Sequence, residues 1–341
     1  MNLESTIRSK TTQEKGFALV NAKGKRVAEF PVDGGNSFTS DIEILRGELA
    51  KIFFDVVKDD IEYLFGDHVT AIDDNERNEK VKVTLASGKQ RDFDLVIGAD
   101  GMSSKTRRLA FPPGNPLKSL GQYTAYFTIP YKESKGQFAE WYNAPGRRNI
   151  LLRPDNAGYT RAYLSVMNPA AAGFAKLDVE GQKKMMRDYF KDAGWEAERA
   201  LDGMDKAEDF YMQEIAQVKL DSFSSGRVAL VGDAGYCPSP ISGMGNSLAI
   251  MGAYILAGEL AACKGNWKEG LRMYEVKMRP IVEKAQSLPP GAPGLVNPET
   301  KWGIRIMGGI AWAISSSGIT KLIGKLSSPP TEDQSLPVYE F

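Results

Sequence analysis

The residues best able to do chemistry together are concentrated at 226–260, GRVALVGDAGYCPSPISGMGNSLAIMGAYILAGEL. Residues 227–231 are an apolar run of strand length that ends in Gly232 and Asp233. A loop of small residues and prolines comes next, and Gly243, Met244 and Gly245 then open a long apolar run of helical length. This order places a carboxylate at the carboxyl end of a strand and free backbone N–H groups at a helix start. Such a pairing suits a polyhydroxylated, partly anionic ligand: Asp233 accepts from hydroxyls, and the helix start favours negative charge. The glycines let a ligand lie against bare backbone. A second phrase, DLVIGADGMSSKTRR at 94–108, has the same logic. Its apolar half reads as a buried strand, and it ends in Ala99, Asp100 and Gly101 before a polar helix start. Alone, that phrase is a generic strand–turn–helix.

Composition sets limits on what these residues serve. A chain of 341 residues suffices for two domains or one large one. Apolar and charged fractions of 42% and 25% are those of a globular protein, and 43 basic residues balance 43 acidic ones. No global field therefore points to nucleic acid. The cysteines Cys237 and Cys263 give neither a disulfide framework nor a zinc pattern, and the lone His68 excludes multi-histidine metal chemistry. Cys237 reads as a small buried residue and His68 as a solvent-facing one. Residues 1–14 lack an apolar signal-peptide core. No run reaches the roughly 18 apolar residues of a membrane span. The expectation is a cytoplasmic protein, with residues 302–323 as a stretch that could rest on a membrane surface.

The elements that must position the two phrases can be read from periodicity. Residues 17–20 and 26–30 are strand-like pieces joined by a turn at Lys23 and Gly24. Ser40 and Glu43 form a capping-box signal, and Leu45, Leu49, Ile52, Phe53 and Val56 fall at helical spacing, predicting a helix over 42–58. Strands are expected at 61–65, 68–73, 80–86 and 93–98. Residues 122–130, 136–142, 148–153 and 159–166 alternate as half-exposed antiparallel strands do. A helix is expected at 178–192, a strand at 210–220, and helices at 246–262 and 267–286. LPPGAPG at 288–294 is a break. A weakly amphipathic helix or helix pair spans 301–326, and 327–341 reads as a tail. Tyr123, Tyr126, Phe127, Phe138, Trp141, Tyr142, Tyr159 and Tyr163 are candidates for an aromatic pocket, although most are expected to pack the sheet's own core.

The two phrases together resemble the Asp-Gly and Gly-Asp motifs of the single-component flavin monooxygenases, the para-hydroxybenzoate hydroxylase-like group. Within it the chain looks closest to the tetracycline-destructase-like and fungal secondary-metabolite enzymes. The resemblance implies an α/β fold (α+β overall). It comprises a Rossmann-like FAD-binding domain (1–118 and 221–290), a mainly antiparallel substrate-binding sheet (119–220), and a C-terminal helical segment and tail (291–341). It implies FAD as cofactor, NADPH or NADH as co-substrate, and transfer of one oxygen atom from O2 to an aromatic or polycyclic small molecule. Carried over by position, Arg46 contacts the flavin and Asp100 with Gly101 lies near the cofactor phosphates. Asp233 hydrogen-bonds the ribityl chain, and Pro238 or Pro240, then Gly243, Met244, Gly245 and Asn246, surround the isoalloxazine. No catalytic acid or base stands out. Halogenation is discounted, because the Trp-x-Trp-x-Ile-Pro signature of the halogenase relatives is absent.

One family element has no counterpart. The family opens with a strand and a Gly-x-Gly-x-x-Gly turn that seats the pyrophosphate. The early glycines Gly16, Gly24, Gly34 and Gly35 follow no buried strand at that spacing. The expectation is an incomplete cofactor domain without its N-terminal βαβ unit. The alternative is a truncated, non-catalytic remnant that binds a small molecule or a protein partner.

Overall fold

The computed structural model describes residues 3–12, 14–32, 42–75, 79–131, 137–155, 157–167, 173–174, 176–317 and 336–340. The chain divides into two compact units. The first is Met1–Tyr63, Gly121–Glu214 and Gly291–Ser328; the second is Leu64–Leu120, Ile215–Pro290 and Pro329–Phe341. In chain order α1 (Glu4–Ser9), β1 (Gly16–Val20), β2 (Arg26–Pro31) and α2 (Arg46–Val57) open the first unit. β3 (Val69–Asp73), β4 (Val81–Leu85), β5 (Gln90–Phe93), β6 (Val96–Gly98) and α3 (Lys105–Ala110) open the second. β7 (Leu117–Pro130) leads back to β8 (Phe138–Ala144), β9 (Arg148–Pro154), β10 (Tyr159–Met167), α4 (Val179–Phe190) and α5 (Ala197–Lys206). β11 (Tyr211–Val218) leads out again to β12 (Ser224–Ser225), β13 (Val228–Leu230), α6 (Asp233–Tyr236), α7 (Gly245–Ala262) and α8 (Trp267–Gln286). α9 (Lys301–Ser316) returns to the first unit.

The first unit is built on a seven-stranded sheet in the order β11-β7-β10-β9-β8-β1-β2. Strict alternation along β7 and β10 decides its faces. Tyr123, Ala125, Phe127 and Ile129 of β7 pack with Ala162, Leu164 and Val166 of β10 against Met186, Phe190, Leu201 and Met204 of α4 and α5. Tyr126, Tyr163 and Tyr211 lie on the opposite face, where Tyr126 and Tyr211 stack with centroids 4.8 Å apart and 11° between planes. The expected aromatic set therefore splits. Tyr123, Phe127 and Tyr142 join the core, Tyr126 and Tyr163 do not, and Tyr159 is 50% exposed. Asp178 caps α4, accepting from Gly181 N–H at 2.8 Å.

The elements of residues 1–63 and α9 join the first unit, whereas the resemblance placed them in the cofactor domain and in a separate C-terminal segment. β1, expected within the cofactor domain, runs parallel to β8 from Gly16↔Phe138 to Val20↔Tyr142 and antiparallel to β2. α9 lays Met307, Ala311 and Ile314 on Leu19, Ala28 and Phe30. A short strand's periodicity says which face is apolar and not which sheet it joins.

In the second unit β3, β4 and β5 form an antiparallel meander, and β12, β13 and β6 a separate three-stranded sheet. Residues 93–98, expected as one strand, are two elements: Phe93 ends β5 in the meander, and Val96–Gly98 begins anew beside β13. Residues 61–65 are irregular, with no strand, and α5 was not foreseen. α7 and α8 bury Leu248, Ile255, Leu271, Tyr274, Met278 and Val282 around Phe223 and Tyr236. Ser40 of the expected capping box and residues 318–326 of the expected last helix lie outside the described residues. Among the described residues no helix is long and apolar enough to cross a membrane, and no His/Cys/Asp/Glu group could hold a metal.

Candidate cofactor site

β6 and β13 run parallel in the register Val228↔Val96, Ala229↔Ile97 and Leu230↔Gly98. Val231 N–H then donates to Gly98 O at 2.9 Å. The Asp-Gly and Gly-Asp turns therefore leave the sheet at the same edge. Close packing sets the residue type beneath them: a Cβ on Gly98 would lie 2.7 Å from Leu230 Cδ2 and 2.8 Å from Thr106 Cγ2. Tyr274 of α8 holds the end of β13, donating to Leu230 O at 2.8 Å with its oxygen 3.0 Å from the Tyr236 hydroxyl.

The first turn is closed on itself. Asp100 Oδ1 accepts from Ser104 Oγ at 2.5 Å, and Oδ2 accepts from Thr106 N–H at 2.9 Å. Ser104 Oγ in turn accepts from Arg107 N–H at 2.9 Å, so these side chains cap the start of α3. Burial alone would push the Asp100 carboxyl up, but the hydrogen bonds from Ser104 and Thr106 outweigh it and hold the group below its ordinary range. Gly101 has φ +79°, and a Cβ there would meet nothing within 4 Å, so its backbone faces open space. Asp100 thus shapes the turn, and Gly101 presents backbone to any ligand.

Arg107 joins the two turns, a role that sequence reasoning missed. Its guanidinium is buried and donates from Nη1 to Ala234 O at 2.6 Å and from Nη2 to Met102 O at 2.7 Å. Burial, reinforced by neighbouring Arg108, pulls it below the usual arginine range. Its Nε is buried without a partner among the described residues. The available signal was a basic residue three positions after the cap residue Ser104, a placement that turns it toward the sheet instead of solvent.

The second turn is open. Gly232 takes φ +65°, with Ala249 of α7 3.2 Å from where a Cβ would stand. Asp233 is the first residue of α6, half-buried, and its carboxylate makes no hydrogen bond or ion pair with a described residue. Asp233 Oδ1 lies 3.9 Å from the Cβ position of Gly245, at the first turn of α7. That helix start has no side-chain cap. Leu248 is the first residue to donate within the helix, to Met244 O at 2.9 Å, while Met244 N–H is bound to Ser242 Oγ at 3.2 Å. The N–H groups of Gly245, Asn246 and Ser247 are the helix's orphan donors. Pro240, Gly243 and Asn246 are exposed, Met244 and Gly245 half-buried; Gly243 has φ +67° and open space around it. Cys237 is buried, with Sγ 3.7 Å from Ala216 O.

Of the nine expected residues, the structure brings Asp100, Gly101, Asp233, Pro240, Gly243, Met244, Gly245 and Asn246 into one unit. Arg46 belongs to the other, at the first position of α2, where its charge bears on Tyr126 and Tyr211. None of the nine lines the cleft of about 430 Å³ between Val218–Phe223 and Arg279–Ser287. Among the described residues β6 is an edge strand, with Ile97 43% exposed.

An uncommitted carboxylate beside uncapped helix N–H groups, with glycines leaving room on both turns, fits the hydroxylated chain and electron-rich ring edge of a flavin. Residues 2–287 match the model of a family described as an FAD binding domain. The chain is 33% identical to the FAD-dependent monooxygenase asL6 of Sarocladium schorii, over 99% of this chain and 85% of that protein. It is 36% identical to the monooxygenase CTB7 of Cercospora beticola, over 100% and 85%. Among solved structures, tetracycline destructase Tet(51) superposes with a TM-score of 0.74 at 32% identity, over 99% of this chain and 84% of that one. The chain belongs to the FAD-binding family of flavin-dependent monooxygenases, and by family it is an oxidoreductase. The α/β architecture and the family expected from the two motifs are both borne out.

Proposed function

We propose that the chain is an FAD-dependent monooxygenase that inserts one atom of O2 into an aromatic or polycyclic small molecule at the expense of NADPH or NADH. The observation that carries this is the free Asp233 carboxylate set against the uncapped start of α7, in a chain of this family. FAD held there would supply the redox and oxygen-transfer chemistry. Asp233 would accept from the ribityl hydroxyls. The N–H groups of Gly245, Asn246 and Ser247 would hold the electron-rich edge of the flavin ring. Pro240, Gly243 and Met244 border the ring, Gly101 offers backbone toward the phosphates, and Arg46 is assigned a flavin contact by resemblance. The polycyclic substrate class is supported by the tetracycline destructases among the similar structures. A cytoplasmic location accords with this chemistry. The alternative of a non-catalytic remnant is not favoured, because monooxygenases align over almost the whole chain.

The test is to load the purified chain with FAD and measure NADPH and O2 consumption with and without polycyclic phenols. Substrate-stimulated consumption with an oxygenated product is expected. A chain that takes up no flavin, or whose consumption ignores every aromatic offered, overturns the proposal.

A further inference from the structure

α7 is apolar along nearly its whole length, and Glu259 is its single charged residue. That carboxylate is 4% exposed. A buried charge on an apolar helix demands donors, and here two are supplied from different places. Lys277 of α8 pairs with Glu259 Oε1, and the Tyr339 hydroxyl donates to the same oxygen. Tyr339 lies in the segment Leu336–Glu340, read from sequence as part of a featureless tail, which the structure instead lays on the α7–α8 pair.

The segment is gripped at several points, all within the second unit. The Tyr339 ring rests on Gly258, where a Cβ would collide with the ring carbons, so only glycine admits it. Tyr254, one turn earlier on the same helix face, meets the ring edge-on at 5.3 Å and donates from its hydroxyl to Pro337 O at 3.0 Å. Lys277 Nζ stands 5.2 Å from the ring centroid and 3.5 Å from the hydroxyl. A bare slot, a buried acceptor, a cation and a donor aimed at a backbone carbonyl together specify an extended segment bearing a tyrosine. They read the ring, its hydroxyl and the backbone two residues before it.

We propose that this face of α7 and α8 is a peptide-docking groove, that its ligand is the chain's own Pro-Val-Tyr-Glu segment, and that the docked segment latches the far end of α7. Glu259 and Gly258 are then explained together, one as the anchor for the tyrosine hydroxyl and the other as the space for its ring. The latched end belongs to the same 18-residue helix that starts at Gly245, whose Cβ position lies 3.9 Å from Asp233 Oδ1.

The groove is tested in the full chain with two substitutions that fail in opposite ways. Tyr339→Ala empties the groove and leaves it intact; Gly258→Ala blocks it and leaves the segment unchanged. In both, amide exchange over the last turn of α7 is expected to quicken about 10- to 100-fold, the loss of one hydrogen bond to a charged group. Exchange in the first unit should not change. A labelled peptide of residues 335–341 should bind the Tyr339→Ala chain saturably and not bind the Gly258→Ala chain. Unaltered α7 exchange in the Tyr339→Ala chain overturns the latch. Equal binding of the peptide to both variants, or to neither, overturns the groove.

Discussion

At the end of β6, Asp100 has both carboxylate oxygens filled by Ser104 and Thr106; at the end of β13, Asp233 has neither filled by any described residue. The two acids leave adjacent parallel strands at the same edge, each beside a glycine, and they differ in the chain immediately beyond them. After Asp100 comes a Ser at the helix cap, so the carboxylate turns inward and fixes its own loop. After Asp233 the chain makes one turn of helix and a Pro-rich loop before α7 begins uncapped, so the carboxylate and the helix donors are left for something else. A motif's acidic residue can therefore serve the scaffold or the ligand. The hydrogen-bond inventory, more than the residue type, tells which.

Substitutions that break this contrast should differ in kind as well as size. The largest effect is expected from Arg107→Ala, which deprives Met102 O and Ala234 O of a shared buried donor. Two charge-assisted bonds suggest a loss of about 3–5 kcal/mol in urea unfolding, and Arg107→Lys, lacking the planar fork, should recover only part of it. Asp233→Ala should change urea stability by less than about 0.5 kcal/mol, as expected away from packed or bonded features. Its FAD affinity should nevertheless fall roughly 10- to 100-fold, the equivalent of one hydrogen bond to a charged group. Asp100→Ala should show the converse pattern, losing about 0.5–2 kcal/mol of stability as helix-cap removals do.

The smaller expected effects depend on pH. Asp100 is held below its unfolded range, so its contribution is present above about pH 4 and is lost as pH falls through the lowered folded value. Asp100→Asn should make the acid limb of a stability–pH curve shallower. At the alkaline end, burial raises Tyr126 in the first unit to about 12. The stability it confers is complete below about pH 10, the unfolded tyrosine value, and fades as pH climbs toward that raised value. Tyr126→Phe should lessen the alkaline slope, which it shares with the other raised tyrosines, in a titration monitored by circular dichroism.

Much of this was legible in the sequence for identifiable reasons. α7 and α8 are long and bounded by Gly243 and Asn266, and the alternation of β7 to β10 is regular, so type and extent come from period alone. The eight expected cofactor residues of the second unit are contiguous with two strand ends, and local pattern suffices to gather them. The features that escaped depended on contacts distant in sequence. Nothing near Gly16 says that β1 pairs with β8. Nothing near Arg107 says that its acceptor is Ala234. Tyr339 is meaningful only against Gly258, 81 residues earlier. The split of residues 93–98 was missed because a short apolar run carries no mark of where one sheet ends and another starts.

The most direct test of the central claim is a fluorescence titration of FAD into the wild-type, Asp233→Ala and Asp100→Asn chains, each first shown to be folded. The account predicts saturable binding that Asp233→Ala weakens at least about tenfold, with Asp100→Asn close to wild type. Equal affinity in the wild-type and Asp233→Ala chains would contradict it.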